Sequence, residues 1–263
     1  MTGLEVRGLR VGLGDREILH GVDLSVGPGT CVGLVGESGS GKSLTALASL
    51  GLLPSRLRVT AGSVLLDGEE VASATTDRTR EVRGSGMSMI FQSPRAALNP
   101  LLRVGRQLER VLRHKGHGAD ARRRSVELFA AVGLFEPEKV ARLYPHELSG
   151  GMCQRVVIAM GIASEPRVLL ADEPTTALDV TVQKDILDLL DDLRERRRMG
   201  VLLVSHDLSV IAERCSSISV MWRGLVVESD ATSVVLAEPS HPFTRELVRD
   251  LEQVPLEDEE AAR

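Results

Sequence analysis

Polar and apolar residues alternate along the first part of the chain, through Leu4-Glu5-Val6, Arg10-Val11 and Val22-Asp23-Leu24-Ser25-Val26. A period of two predicts half-buried strands. Gly27-Pro28-Gly29 then turns the chain. Cys31 to Val35 is a short apolar run that predicts a buried parallel strand, and Val168 to Ala171 predicts another buried strand. Met87 to Phe91 and Val201 to Ser205 predict further short strands. Helical spacing governs Ser43 to Leu53, stopped by Pro54, and then Leu101 to His114, Ala121 to Val132 and Met152 to Ala163. It also governs Val180 to Arg198, with Ile186, Leu187, Leu189, Leu190 and Leu193 expected inward. Thr60 to Val71 predicts a hairpin turning at Asp67-Gly68.

Buried strands alternating with helices imply an α/β fold with a mainly parallel sheet covered on both faces. The early alternating strands predict a flanking antiparallel β subdomain. Between about Pro94 and Glu165 the character changes: helical spacing in Leu101 to His114 and Ala121 to Val132, separated by Lys115-Gly116-His117-Gly118, predicts an inserted helical subdomain. The expected organisation is one domain over 1–263. Residues 1–93 and 166–252 form its catalytic core with the antiparallel subdomain, 94–165 the helical insertion and 253–263 an acidic tail.

Composition narrows the class. At 43% hydrophobic and 26% charged, 263 residues can bury a core without disulfides or metals. Cys31, Cys153 and Cys215 form no CxxC pair and are expected to be reduced and buried. A net charge of −5 argues against nucleic acid as the partner. Met1 to Arg10 lacks the basic-then-apolar pattern of a signal peptide, and no apolar run is long enough to span a bilayer. Any membrane role is expected to be exercised from the surface.

Gly36-Glu37-Ser38-Gly39-Ser40-Gly41-Lys42-Ser43 fits G-x-x-x-x-G-K-[ST] at each fixed position, between a predicted buried strand and a predicted helix. Glycines let successive backbone N–H groups curl around phosphate oxygens, and the helix N-terminus adds its positive end. Lys42 supplies a point charge for the β- and γ-phosphates, and Ser43 a hydroxyl ligand for Mg²⁺. The motif predicts a nucleoside triphosphate site on a P-loop NTPase core, a feature that GTPases, kinases and helicases share. A strand ending in Asp172-Glu173 adds a carboxylate beside the loop to hold Mg²⁺ and a second to orient or deprotonate the attacking water. Ser149, Gly150 and Gly151, at the start of a helix, offer a second anion-binding end.

In this order, Leu148-Ser149-Gly150-Gly151-Met152-Cys153-Gln154 resembles the LSGGQ signature of ABC ATPases, and the resemblance covers nearly the whole chain. It implies that Ser149, Gly150 and Gly151 close over ATP held by a partner subunit. Gln92, in Phe91-Gln92-Ser93-Pro94, matches the Q-loop, implied to sense Mg²⁺ and the attacking water. Thr175-Thr176-Ala177-Leu178-Asp179 matches the D-loop, with Asp179 facing the nucleotide across the dimer. His206 matches the switch histidine at the γ-phosphate. Gly36-Glu37-Ser38-Gly39-Ser40-Gly41-Lys42-Ser43-Leu44-Thr45, Phe91-Gln92-Ser93-Pro94 running to Leu98-Asn99-Pro100, Met152 in the signature and His241-Pro242-Phe243-Thr244 resemble the peptide and nickel importer group. Leu44 joins the implied nucleotide-binding positions.

The resemblance implies ATP and Mg²⁺ as cofactors and ATP hydrolysis as the activity. It implies a second, different ATPase subunit, two transmembrane permeases and an external solute-binding protein, at the cytoplasmic face of the membrane. A soluble ABC protein of translation or DNA repair, a module without turnover and an exporter subunit are the competing readings. Intact Glu173 and His206 speak against the second; the Met-containing signature and the His241-Pro242 segment favour import over export. Two features depart from family patterns. Leu13 stands where an aromatic commonly stacks on adenine, and no cysteine cluster follows Arg249, so no iron–sulfur centre is expected. Arg122-Arg123-Arg124 reads as a solvated helix face, and Trp222 and Tyr144 as packing residues.

Overall fold

The computed structural model describes residues 3–71, 82–176 and 178–253. Two sheets organise it. The first is antiparallel, in the order β2 (Arg16–Val26), β1 (Leu4–Leu13), β4 (Leu57–Leu66), β5 (Glu69–Glu70). The second runs β10 (Leu225–Ala231), β9 (Ser217–Trp222), β3 (Cys31–Val35), β8 (Gly200–Ser205), β7 (Val168–Asp172), β6 (Met87–Ile90). Its five strands from β9 to β6 are parallel; only β10 is antiparallel.

The apolar runs divide by alternation. Val32, Leu34, Val168, Leu170, Leu202 and Val204 enter a core shared with Leu4, Val6 and Leu19 of the antiparallel sheet. Their neighbours Cys31, Val35, Leu169, Ala171, Val201 and Leu203 enter a second core on the opposite face. That core also takes Phe129 and Ile158 from the helices between β6 and β7. Burial of each valine, leucine, isoleucine or phenylalanine among them contributes about 1.5–3 kcal/mol, so the central strands are held from both sides.

The helices are α1 (Lys42–Ser49), α2 (Pro94–Ala97), α3 (Val104–His114), α4 (Ala121–Ala131), α5 (Pro137–Val140), α6 (Gly150–Ile162), α7 (Val180–Arg197), α8 (Leu208–Arg214), α9 (Thr232–Ala237) and α10 (Pro242–Gln253). Several ends differ from the sequence expectation for a local reason. α1 stops at Ser49 rather than Leu53, because Gly51 adopts φ 62° and closes a Schellman cap: Leu52 N donates to Leu47 O and Gly51 N to Ala48 O. α3 begins at Val104, leaving Leu101 outside and 82% exposed. α6 begins at Gly150, so both glycines lie inside its first turn rather than ahead of it. Leu189 is half-buried, unlike the buried Ile186, Leu187, Leu190 and Leu193 of α7. Asp67 and Gly68 turn the β4–β5 hairpin with φ 51° and 84°, as a two-residue turn requires. The acidic tail, apart from the Gln253 backbone, and Ala177 lie outside the described residues. Among the described residues no helix is long and apolar enough to cross a membrane.

Candidate active site

The carboxyl ends of four adjacent parallel strands supply the site. β3 delivers the phosphate loop, β8 His206, β7 Asp172 and Glu173, and β6 the segment bearing Gln92. Open α/β sheets place their ligands at this edge.

The loop from Gly36 to Gly41 is fixed by steric need. Gly41 has φ 110°, and a Cβ there would lie 2.6 Å from Leu19 Cδ2. A Cβ on Gly36 would lie 2.0 Å from the Met221 carbonyl oxygen. Ser40 ties the loop to the β9–β10 turn, its carbonyl oxygen accepting Gly224 N at 2.9 Å, while its buried Oγ has no hydrogen-bond partner among the described residues. Lys42 is 5% exposed, and its Nζ donates to Gly36 O at 2.7 Å and Glu37 O at 2.8 Å. Burial pushes the ammonium pKa down, against the opposing pull of Glu173, Asp172 and Glu37.

Ser43 Oγ donates to Asp172 Oδ1 at 2.9 Å. Asp172 is buried, and that burial raises its pKa; Glu173 adds to the rise, while the Ser43 bond and Lys42 oppose it. A raised carboxyl pKa means that the folded chain binds the proton more tightly than the unfolded chain, so stability falls as pH rises through this window. Asp172→Asn is therefore expected to raise Tm at neutral pH without nucleotide, by about 2–4 °C per kcal/mol recovered, while Mg²⁺-dependent turnover falls. Calorimetry and phosphate release check the two halves.

Among the described residues no group of three or more His, Cys, Asp or Glu could hold a metal. Ser43, Asp172 and the Gln92 amide oxygen are hard oxygen donors too few for a closed cage. Such a set suits Mg²⁺ when substrate phosphates complete its shell. The site fits the cation in that sense.

Glu173 is the most connected group. Its φ of 46° is left-handed, and its N–H donates to Val204 O on β8 at 2.9 Å. A non-glycine residue held there is strained, and the surrounding bonds over-determine it. Oε2 accepts Gln92 Nε2 at 2.7 Å and Thr176 Oγ1 at 2.8 Å; His206 Nδ1 lies 3.2 Å from Oε1. Burial pushes the carboxyl pKa up, but the bonds from Thr176, His206 and Gln92 outweigh it and hold it below the usual range. With a lowered pKa, these contacts stabilise the fold above the unfolded carboxylate's pKa and are lost as pH falls through the folded one. Thr176→Val removes one lowering bond, so the acid limb of the pH–rate profile is expected to move to higher pH.

His206 sits between β8 and α8. Ser205 Oγ accepts Asp207 N at 2.9 Å, and Asp207 Oδ1 caps α8 through Ser209 N at 2.8 Å. The imidazole is exposed but held at a fixed joint.

Ser149, Gly150, Gly151 and Asp179 form a second group. Ser149 caps α6, its Oγ accepting Met152 N at 3.2 Å, and Asp179 caps α7 through Val182 N at 3.0 Å. A Cβ on Gly151 would meet Val182 Cγ1 at 2.7 Å, and one on Gly150 Leu178 Cδ2 at 3.3 Å. Two helix N-termini thus lie side by side. Among the described residues no hydrogen bond or ion pair joins this group to the phosphate-loop cluster. Sequence reasoning placed Thr176 inside the D-loop match but gave it no contact with Glu173, which it reaches through the tight turn in which Thr176 N donates to Glu173 O at 3.3 Å.

Residues 19–176 match the family model described as ABC transporter. The oligopeptide transport ATP-binding protein OppD of Lactococcus lactis subsp. cremoris is 44% identical over 237 residues, spanning 89% of this chain and 70% of that protein. The dipeptide transport ATP-binding protein DppD of Haemophilus influenzae is 42% identical over 257 residues, spanning 95% and 78%. The oligopeptide transport ATP-binding protein AppD of Bacillus subtilis is 44% identical over 236 residues, spanning 89% and 72%. Among solved structures, the ATP-binding cassette MJ0796, dimeric in a post-hydrolysis state with ADP and Pi, superposes with a TM-score of 0.76 at 30% identity. That match covers 87% of this chain and 98% of the cassette.

Proposed function

Because this chain belongs to the ABC transporter family and is an ATPase cassette of it, we propose that it pairs with a second, different cassette around MgATP and drives peptide uptake. The permeases it would drive are separate chains at the cytoplasmic face of the membrane, served by an external solute-binding protein. The observation that carries the reading is the four-way junction of Glu173 with Gln92, Thr176 and His206, one residue from Asp172 and its bond to Ser43. The names of the relatives support peptides, and those quoted above name no nickel.

In this mechanism the loop amides and Lys42 hold the β- and γ-phosphates. Bound Mg²⁺ supplies charge neutralisation on those phosphates, with Ser43, Asp172 and Gln92 as the residues that would hold it. Glu173 orients the attacking water and takes its proton, kept ionised for that task by its three donors. His206 faces the γ-phosphate; this chain's Ser149 to Gly151 with Asp179 close over the ATP held by the partner cassette, and the partner's corresponding segments complete the enclosure here. Closure of two half-sites turns nucleotide binding into motion, passed through the 94–165 lobe to the permease.

Affinity purification of the tagged chain from its native membrane in MgATP tests this. Two permeases and a second cassette are the expected companions; ribosomes or repair proteins without a permease would overturn the transport reading. A smaller prediction concerns the base. Leu13 ends β1 and is 43% exposed. If it lies under adenine, Leu13→Tyr should tighten ATP binding by at least about fivefold, since a base stacked on an aromatic ring gains about 1–3 kcal/mol. Parallel titrations of the two proteins read the difference.

A further inference from the structure

Helices α3, α4 and the turn around α5 border an open, solvent-facing cavity of about 530 Å³. Arg103, Arg106, Arg113, Arg122 and Arg142 line it, with Glu109 and Glu138 as its acids. Five cations less two anions leave the lining at +3, in a chain whose net charge is −5. The run Arg122-Arg123-Arg124, expected as one solvated face, divides here. Arg123 pairs with Asp120 and Glu127, and Arg124 Nη1 lies 3.3 Å from His117 Nε2, but Arg122 turns to the cavity. Arg113 is bonded to Glu109 at 3.2 Å, and the Arg103 guanidinium lies 5.7 Å from the Tyr144 ring centroid. Arg106, Arg122 and Arg142 have no hydrogen-bond or ion-pair partner for their guanidinium groups among the described residues.

Like charges this far into water repel by only about 1 kcal/mol or less, so the fold tolerates them. A concave wall nevertheless focuses their field on the space they surround. Guanidinium forks match phosphate oxygens two at a time, which a point charge does not. Val126 and Ala141 are the only apolar side chains in the lining, so the site offers little to a ligand with an apolar body. The volume lies within the roughly 300–1,000 Å³ of small-molecule sites, and no residue of the phosphate loop contributes to it.

We propose that this cavity binds a compact ligand carrying several phosphate groups, gripped by Arg106, Arg122 and Arg142. The proposal is independent of the importer reading. A free polyphosphate and a cluster of phospholipid headgroups share this chemistry, and the test separates them. Calorimetric titration of the whole chain with tripolyphosphate is expected to show a site that persists in Lys42→Ala, where the phosphate loop is crippled. Changing Arg106, Arg122 and Arg142 together to Gln should weaken that site by at least about tenfold. Glu138→Gln should strengthen it by about twofold, because it removes the facing anion. Opposite signs from neighbouring exposed residues are not what a folding defect gives. In the second arm the chain is floated with phosphatidylcholine vesicles with and without phosphatidylglycerol. Phosphatidylglycerol-dependent flotation lost in the triple variant, without tripolyphosphate binding, assigns the headgroup source; tripolyphosphate binding assigns the free ion. Failure of both arms, or binding that the triple variant and Glu138→Gln leave unchanged, overturns the site.

Discussion

Glu173→Gln is expected to lower steady-state ATP hydrolysis by about 10²–10⁴-fold, the range for loss of a general base, while leaving ATP binding intact. The exchange is nearly isosteric, and the contacts explain why it spares the fold. The remaining carbonyl oxygen can keep the position of Oε2, accepting both Gln92 Nε2 and Thr176 Oγ1. The new amide N–H₂ then faces His206 Nδ1, where Oε1 stood. What is lost is a group able to take the proton from water. A negative charge near the bound phosphates is lost as well, which favours the nucleotide-bound state. A closed pair of cassettes should therefore accumulate in MgATP. Single-turnover phosphate release and light scattering, both with a partner cassette, read the two effects. Full turnover in the variant would remove Glu173 from the role of base.

The residues whose chemistry depends on local sequence are the ones the sequence made legible. The loop Gly36 to Ser43, the strand ending at Asp172-Glu173 and the cap at Ser149 each lie within a few residues of the backbone feature that positions them. The buried strands at Cys31 to Val35 and Val168 to Ala171 were legible because burial on both faces removes the polar alternation. The end of the chain was not. β9 mixes Ser217 and Ser219 with Ile218 and Val220, so it lacks an apolar run, although Ser219 is buried and shares a 2.9 Å contact with Ser229. The order β9-β3-β8-β7-β6 is set by pairings between strands far apart in sequence, which no local period encodes. Trp222 does pack as expected, its ring 6.0 Å from Phe243. The grip of Thr176 on Glu173 and the splitting of the Arg122 run both depend on where a backbone turns, and side-chain type alone does not tell that.

Lys42→Ala should fail earlier in the cycle, at binding. The Lys42 ammonium is buried, and its present bonds to Gly36 O and Glu37 O hold the loop in shape. Hydrogen bonds to a charged group contribute about 1.5–3 kcal/mol each. Two of them directed at phosphate correspond to at least about a hundredfold in affinity, at 1.4 kcal/mol per tenfold. Thermal shift makes the loss visible without a partner or turnover. ATP at a hundred times the parent Kd stabilises the parent by about 2.7 kcal/mol, whereas a hundredfold weaker site gains only about 0.4 kcal/mol at the same concentration. For a chain of this size the ATP-induced rise in Tm should shrink from about 5–10 °C to about 1–2 °C. Glu173→Gln should keep the full rise. The two variants thus separate the grip on phosphate, made by the loop, from the handling of the water, made at the end of β7. An undiminished rise in Lys42→Ala would place the nucleotide somewhere other than the Gly36 to Ser43 loop.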